Sequence, residues 1–310
     1  MLSQHVSTFL KGLAMGAANV IPGVSGGTIA LITGIYERLI NAIKSVDLAA
    51  LKLLFSRQWK AFWNVTDGSF LTALFLGIGV SIISLAKLLE YLLDNHETLT
   101  MAFFFGLILI SVVLVAKGVR NWNFAAFLML AIGTCIAVGI ALLAPASENS
   151  SFLYLFACGI VAMCSMILPG LSGSFVLIIM GNYALILGAI GNAELSILLP
   201  LALGCVFGII AFSHVLSWIF KHYHDQTIAL MSGFILGSLA IIWPWKNTLL
   251  QTLQREGKPP KEVVTGYEWF LPSISQSGTL FAITLMVVGA LSLWLMEKTS
   301  TRHEEGQMDS

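Results

Sequence analysis

Two short segments of the chain combine a proline, glycines and a serine inside otherwise apolar sequence. Residues 21–28 read Ile-Pro-Gly-Val-Ser-Gly-Gly-Thr, and residues 168–174 read Leu-Pro-Gly-Leu-Ser-Gly-Ser. A proline interrupts a helix, and a serine soon after such an interruption favours the start of a new helix. A helix start offers free N–H groups and partial positive charge, and glycines let an oxyanion approach the backbone. Both segments are therefore predicted to bind an anionic group such as a phosphate.

The residues assigned to this chemistry fall into two sets. The helix breaks are assigned to Pro22, Gly23, Pro169 and Gly170. The groups expected to contact the ligand are Ser25, Gly26, Gly27, Thr28, Ser172, Gly173 and Ser174. The alternative is that both segments are only kinked helices that pack through small residues. Two copies at matching positions favour a binding site.

Two ionisable side chains, Lys87 and His214, lie in apolar runs at equivalent positions of the chain. Ionisable residues within a membrane are functional candidates, and a cation on each side of a central anion site suits a carrier of a phosphate-like group. The alternative for Lys87 is an ion pair with Glu90, one turn further along the same helix. Both interpretations stay open at this point.

Glu37 and Arg38 follow the first segment, whereas Ala184 and Leu185 stand at the equivalent positions after the second segment. The charged pair lies about 15 Å beyond the break by the rise per residue of a helix. A solvated pair at the membrane surface is therefore favoured over direct contact with a ligand. The asymmetry indicates a function that only one side of the protein requires.

Both segments also contain Gly-x-Ser-Gly, the serine motif of rhomboid intramembrane proteases, and His214 is a candidate base. A catalytic site rarely needs two symmetric nucleophiles, and one histidine within the membrane is available to serve them. The serines also follow a proline break rather than a nucleophile elbow. We therefore assign no catalytic residue, and intramembrane proteolysis is the least favoured hypothesis.

The composition is that of a polytopic membrane protein. Of the 310 residues, 57% are hydrophobic and 10% are charged, and the mean hydropathy is +0.88. Soluble domains carry about 25% charged residues. The net charge of zero gives no indication of nucleic-acid binding. The four cysteines lie in apolar runs without close metal-ligand spacing, so no disulfide, metal or cofactor is expected.

Each motif is expected at the tip of a re-entrant helical hairpin, at residues 9–44 and 152–191. Residues 9–20, a mostly apolar segment of twelve residues before the first break, reach only about 18 Å, short of the ~30 Å hydrocarbon layer. A pair of full crossings joined at the motif is the alternative. Transmembrane helices are predicted at about residues 70–93, 101–117, 123–143, 195–220, 227–243 and 279–296. The remaining segments are a surface loop at 45–69, a polar loop at 244–278 and a disordered tail at 297–310.

The two halves of the chain are related in sequence. An offset of 147 residues aligns the hairpins, and an offset of 127 aligns the helices that follow. Residues 1–143 and 152–296 are therefore interpreted as two repeats, each with one hairpin and three transmembrane helices. Because three is odd, the second repeat must be inverted relative to the first. The predicted fold is an all-α polytopic membrane protein with an inverted-topology repeat, which is a transporter architecture.

The distribution of basic residues gives the orientation. On this topology, ten lysines and arginines lie on the side of both termini and four lie on the other side. Basic residues accumulate in cytoplasmic loops, so the N-terminus and the C-terminus are both predicted to be cytoplasmic.

Four stretches carry a close resemblance to the bacterial polyprenyl-phosphate transporter family. Residues 16–28 read Gly-Ala-Ala-Asn-Val-Ile-Pro-Gly-Val-Ser-Gly-Gly-Thr, and residues 33–40 read Thr-Gly-Ile-Tyr-Glu-Arg-Leu-Ile. Residues 102–108 (Ala-Phe-Phe-Phe-Gly-Leu-Ile) and 167–174 resemble later signatures of the family. The similarity covers roughly residues 9–296, essentially the whole membrane domain.

The resemblance implies an undecaprenyl-phosphate translocase of the bacterial plasma membrane, which returns the lipid carrier of peptidoglycan and other surface glycans from the outer to the cytoplasmic leaflet. The implied partners are undecaprenyl phosphate and membrane lipid, with a coupling proton or sodium ion left open. The resemblance implies that the phosphate passes the two motif tips and the side chains of Lys87 and His214. It also adds three residues of the family signature to the candidate site: Asn19, Glu37 and Arg38. Family members often have arginine at the positions of Lys87 and His214, so phosphate recognition here is expected to be less bidentate.

A carrier or channel for a small soluble anion is the main alternative, because the same helix-start chemistry would serve it. A lateral opening to lipid between the halves would favour the lipid substrate. A water-filled vestibule would favour the soluble anion.

Overall fold

The computed structural model describes residues 2–20, 25–255, 258–273 and 277–308. The first predicted break, at Pro22 and Gly23, lies outside these ranges. In the first part of the chain the helices are α1 (Leu2–Val20), α2 (Gly26–Ile32), α3 (Tyr36–Lys44), α4 (Leu48–Phe55), α5 (Trp59–Val65), α6 (Gly68–Ala116) and α7 (Phe124–Ala141). The second part contains α8 (Phe152–Ile167), α9 (Gly173–Ile179), α10 (Tyr183–Asn192), α11 (Leu195–His222), α12 (His224–Ile242), β1 (Lys246–Arg255), β2 (Lys258–Trp269) and α13 (Ser277–Met308).

The molecule is a mostly helical, multi-pass membrane protein, as the sequence predicts. Within the described ranges, six helical segments are long and apolar enough to cross a membrane: Gly68–Leu89, Tyr91–Ala116, Phe124–Ala141, Leu195–His222, His224–Ile242 and Gly278–Leu295. The first two belong to α6, which is kinked at His96 (φ −142°, ψ 41°). A kink therefore stands where the sequence predicts a short connection between two helices.

The second arm of each hairpin is divided into two short helices, which the sequence analysis did not predict. In the first hairpin α2 ends before Gly34, whose φ is +70°, and in the second α9 ends before Gly181, whose φ is +73°. The N–H groups of Ile35 and Asn182 each donate to a carbonyl five residues back, as in a glycine-terminated helix end. The chain then turns, and the axes of α9 and α10 differ by 110°.

The predicted polar loop at 244–278 is wrong in part, because the segment contains an antiparallel β-hairpin of β1 and β2. The second strand contains two valines, a threonine, a tyrosine and a tryptophan, and the first contains two threonines; these residue types favour extended backbone. The indole N–H groups of Trp243 and Trp269 donate to the carbonyls of Phe270 (3.2 Å) and Ala240 (2.8 Å), which anchors the hairpin to the end of α12. The fold is otherwise mostly helical, as expected of an all-α polytopic membrane protein.

The last helix also extends beyond its predicted end at residue 296. The helix α13 continues to Met308, through most of the segment expected to be a disordered tail. Residues 297–305 contain neither proline nor glycine, so the backbone has no helix-breaking residue there.

Helix crossings occur at glycines, and the crossings of the two halves are equivalent. A Cβ atom added to Gly12 would overlap the carbonyl oxygen of Leu74, where α1 crosses α6. A Cβ atom added to Gly159 would overlap the carbonyl oxygen of Leu201, where α8 crosses α11. The sequence offsets of 147 and 127 convert the first pair into the second. The first arm of each hairpin therefore packs in the same way on the helix that follows the hairpin.

Candidate functional site

The start of α2 is capped by groups of the protein itself. Ser25 is buried and occupies the N-cap position, and its Oγ accepts a hydrogen bond from the N–H of Gly27 at 3.2 Å. The side chain of Asn19, near the end of α1, accepts a hydrogen bond from the N–H of Gly26 through Oδ1 at 2.7 Å. Two of the N–H groups that a helix start leaves free are therefore already satisfied.

Three hydroxyl groups of the first hairpin bind the backbone of the second break. The Oγ of Ser25 donates to the carbonyl of Leu168 at 3.3 Å, and the hydroxyl of Tyr36 donates to the carbonyl of Ile167 at 3.0 Å. The Oγ1 of Thr28 accepts a hydrogen bond from the N–H of Gly170 at 3.1 Å. Backbone groups that a proline break releases must find partners inside the protein, and here the other repeat supplies them.

Gly170 fits its position for two reasons. Its φ of +79° lies in the left-handed region that glycine adopts without strain. A Cβ atom at this position would also lie 2.6 Å from the backbone of Phe234 in α12. The buried Pro169 and Gly170 therefore place the second break directly against α12.

The second tip offers hydroxyl groups to its surroundings. Ser172 occupies the N-cap position of α9 but makes no side-chain capping hydrogen bond. Its Oγ lies 2.8 Å from the Oγ of Ser174, whose side chain is exposed. These two hydroxyls bind each other rather than the backbone of the first hairpin, and each retains capacity for a further hydrogen bond.

The two tips meet at one cavity of about 290 Å³. Its polar lining comes from both repeats: Asn19, Ser25, Ser172, Gly173 and Ser174. The structure therefore brings residues of the two motifs to the wall of one cavity. Apolar side chains of α8, α9 and α11 form the rest of the wall.

An apolar groove of about 140 Å³ adjoins this polar cavity. The two spaces share Asn19, Met163 and Met166 in their linings, and the groove runs between elements of the two halves, α1, α3 and α6 on one side and α8 and α11 on the other. Phe75 is 55% exposed and Met166 is 47% exposed, so the groove reaches the apolar outer surface of the helical bundle. Gly26, Gly27 and Tyr36 also line it. The polar cavity and the apolar groove are therefore adjacent and share part of their walls.

Lys87 and His214 are not brought to the tips. Both side chains are exposed, on α6 and α11, and neither is among the residues that line the polar cavity or the apolar groove. The Nδ1 of His214 lies 2.8 Å from the carbonyl of Ile210 in its own helix. Ser25 is hydrogen-bonded to the backbone and Ser172 to Ser174, so these groups form no serine–histidine pair of the kind the protease hypothesis requires.

Glu37 and Arg38 have separate partners. Arg38 forms a two-pronged ion pair with Asp67, at 2.6 and 3.1 Å, and its guanidinium lies 4.3 Å from the ring centre of Phe70. Glu37 lies 3.5 Å from Nε2 of His224 at the start of α12. Arg38 therefore fixes the first hairpin to the start of α6, and Glu37 faces the second repeat.

Tyr36 is the residue that sequence reasoning left without a role in the site. In the sequence Tyr36 stands out only as part of the family signature, whereas in the structure its ring is buried and its hydroxyl joins the two hairpins. The sequence did contain an indication of this role, because Tyr36 lies in an apolar segment. A tyrosine that is buried there needs a hydrogen-bond partner for its hydroxyl.

Interrupted helices that meet between apolar membrane spans are typical of multi-pass transporters. A protein-family model described as undecaprenyl phosphate translocase-like matches residues 15–259, and the chain belongs to this family.

Two relatives carry the name polyprenyl-phosphate transporter. The protein from Vibrio cholerae is 40% identical over 95% of this chain and 96% of its own length. The protein from Staphylococcus aureus is 34% identical over 76% of this chain and 85% of its own length. No solved structure matches the chain significantly.

Proposed function

We propose that this protein translocates undecaprenyl phosphate, or a closely related polyprenyl phosphate, from the outer to the cytoplasmic leaflet of the bacterial plasma membrane. The transport would recycle the lipid carrier of cell-envelope glycan synthesis. Family membership and the names of the two relatives support a polyprenyl phosphate as the substrate. The observation that carries the proposal is that the polar cavity and the apolar groove lie side by side and share Asn19, Met163 and Met166, because the substrate has a charged head and a long apolar chain.

In this proposal the phosphate head occupies the polar cavity. The hydroxyls of Ser172 and Ser174 donate to phosphate oxygens, and the amide group of Asn19 supplies a further donor. The prenyl chain lies in the apolar groove and leaves between the halves. In this arrangement the phosphate does not enter the hydrocarbon layer, where burying a bare ion costs many kcal/mol.

The first tip has a different role in this proposal. Ser25, Thr28 and Tyr36 hold the second break in place through its backbone, and only Ser25 also reaches the cavity. Glu37 and Arg38 fix the first hairpin to its neighbours. Lys87 and His214 lie outside the proposed phosphate site, because they line neither space.

We infer further that the two repeats are inverted and exchange access between the leaflets. The equivalent glycine crossings support a repeat, and a second set supports it independently. Gly106 of α6 packs against the backbone of Met286 in α13, and Gly233 of α12 packs against that of Leu130 in α7. Each repeat thus contributes a helix to the other in the same manner. The charge distribution supports cytoplasmic termini.

The test is transport by the purified protein in liposomes that carry a short-chain polyprenyl phosphate in one leaflet. Accessibility of the phosphate on each side is followed over time, with a neutral polyprenol and inorganic phosphate as comparison substrates. We expect protein-dependent equilibration of the polyprenyl phosphate only. Proton and sodium gradients are applied in each direction to identify a coupling ion. Equilibration of inorganic phosphate without that of the lipid would contradict the proposal and favour a soluble-anion carrier.

A further inference from the structure

A second polar cavity, of about 220 Å³, lies between α3 of the first repeat and α11 of the second. Its lining consists of Glu37, Ile40, Asn41, Ser217, Phe220 and Lys221. This space, the Lys221 cavity, belongs to the face predicted to be cytoplasmic. Ile40 lines both the Lys221 cavity and the apolar groove, so the two are neighbours along α3.

The Lys221 cavity contains a chain of polar contacts between the two repeats. The Nζ of the half-buried Lys44 donates to the Oγ of Ser217 at 3.2 Å. The Oγ of Ser217 donates in turn to Oδ1 of Asn41 at 3.2 Å. Lys221 follows Ser217 by one turn of α11 and therefore lies on the same face of that helix.

The charges in and around the cavity favour an anion. Lys221 and Glu37 line the cavity, and the ammonium group of Lys44 contacts Ser217 of its wall, so two cationic side chains accompany one carboxylate. The Oε1 of Glu37 lies 3.5 Å from Nε2 of His224, on the side towards α12. A phosphate monoester accepts hydrogen bonds from ammonium, hydroxyl and amide donors alike, and all three are present.

We propose that the Lys221 cavity is a second phosphate-binding site, which holds the head group of the lipid at the cytoplasmic end of the pathway while its chain stays in the apolar groove. This assignment rests on the proposed translocation of a polyprenyl phosphate. Lys44 and Lys221 bind the phosphate oxygens, with Ser217 and Asn41 as further partners. Its position beside the groove distinguishes it from a surface site for free phosphate, because the chain of a lipid would add to binding.

The corresponding positions of the other repeat cannot form such a site. The offsets of 147 and 127 place Gly191 at the position of Lys44 and Asp94 at the position of Lys221. Gly188 replaces Asn41, and Glu90 replaces Ser217. The face with the Lys221 cavity therefore has a pair of cations, whereas the four equivalent positions of the other repeat are occupied by acidic residues and glycines. The phosphate head is held at one end of the pathway and not at the other.

The decisive variant is Lys44→Gln with Lys221→Gln, and the matched control is Lys52→Gln with Lys60→Gln. The control removes the same charge from exposed positions of α4 and α5, away from the cavity. Binding of a short-chain polyprenyl phosphate to protein in lipid nanodiscs is measured, with inorganic phosphate and a polyprenol as competitors. We expect the cavity variant to bind the lipid phosphate at least about tenfold more weakly, because the phosphate loses two charged hydrogen-bond partners.

Further arms separate the possible outcomes. A photoreactive group next to the phosphate should crosslink to the segment with Ser217 and Lys221, and Lys44→Arg with Lys221→Arg should retain binding. Competition by inorganic phosphate at the lipid's own concentration would instead indicate a site for free phosphate. Unchanged binding and crosslinking in the glutamine variant, with transport by the wild type intact, would overturn this inference alone. Failure of the wild type to transport the lipid would overturn the proposed function.

Discussion

The two hairpin tips have nearly the same sequence but different surroundings. At the first tip, Ser25 and Thr28 are buried and bind the backbone of the second break. At the second tip, Ser172 and Ser174 bind each other and face the polar cavity. An internal repeat therefore does not imply two equivalent binding sites. One copy of the motif holds the structure together, and the other is free to contact a ligand.

The sequence differences between the copies explain this division. Asn19, which caps α2, corresponds to Met166, and Thr28, which binds Gly170, corresponds to Phe175. The second repeat therefore lacks the equivalents of Asn19 and Thr28, although Ser172 and Tyr183 stand at the positions of Ser25 and Tyr36. Ser174 stands in place of Gly27 and adds a hydroxyl that the first tip does not have.

The largest effect is expected from Gly170→Ala, which alters the second break itself. The new Cβ would meet the backbone of Phe234 at 2.6 Å, and the φ of +79° is strained for alanine. We expect a loss of roughly 3 kcal/mol or more of folding free energy, measured as thermal unfolding in detergent. Gly34→Ala is the matched control, because its φ is +70° with no atom within 4 Å of the new Cβ. Its loss should be only about 1–2 kcal/mol, and equal losses would contradict the close approach to α12.

Thr28→Val should have the next largest effect on stability. Valine keeps the shape of the side chain but leaves the buried N–H of Gly170 without its acceptor. An unsatisfied buried donor costs about 1–3 kcal/mol, so the unfolding temperature should fall. Phe175→Val changes the equivalent residue of the second repeat, which makes no such hydrogen bond, and serves as the comparison. If the Thr28→Val protein is as stable as the wild type, the structural role assigned to the first tip is wrong.

Tyr36→Phe removes only the hydroxyl that donates to the carbonyl of Ile167. The ring remains in its buried position, so the expected loss of stability is about 1 kcal/mol. Thermal unfolding of this variant is compared with that of Tyr183→Phe, the same change at the equivalent position. If the two changes have equal effects, the contact across the repeats does not distinguish the hairpins.

The smallest effect is expected from Lys87→Gln with His214→Gln. Both side chains are exposed and line neither the polar cavity nor the apolar groove. Transport of polyprenyl phosphate by this variant should stay within about twofold of the wild type, as expected for surface changes of no more than about 0.5 kcal/mol. A transport rate lowered tenfold or more would instead indicate that Lys87 and His214 contact the phosphate during transport.

The sequence predicted the features that depend on local composition. Hydropathy located the six spans, and Pro169 with its glycine marked the second break. The repeat places Ser25 and Ser172 at equivalent positions of the sequence, and both line the polar cavity. The different roles of the two tips depend on contacts between distant parts of the chain, such as that of Thr28 with Gly170, which are 142 residues apart. No local sequence pattern predicts such a contact.

Other features were missed for identifiable reasons. Gly34 and Gly181 end helices by adopting positive φ, and a glycine in an apolar run is equally typical of helix packing. The β-hairpin was read as a loop because its polar residues outweighed its β-branched ones. Lys87 and His214 were predicted to bind phosphate because they are ionisable side chains in apolar segments. Those segments are apolar on every side, so the sequence does not show which face of α6 or α11 points into the protein.

The most direct measurement compares stability and transport in two double variants. One is Ser172→Ala with Ser174→Ala at the second tip, and the other is Ser25→Ala with Thr28→Val at the first. We expect the second-tip variant to unfold at the wild-type temperature but to transport polyprenyl phosphate at least about tenfold more slowly, since each lost hydrogen bond to a charged group is worth about 1.5–3 kcal/mol. The first-tip variant should lose stability. Normal transport by the second-tip variant would contradict the assignment of the phosphate site to Ser172 and Ser174.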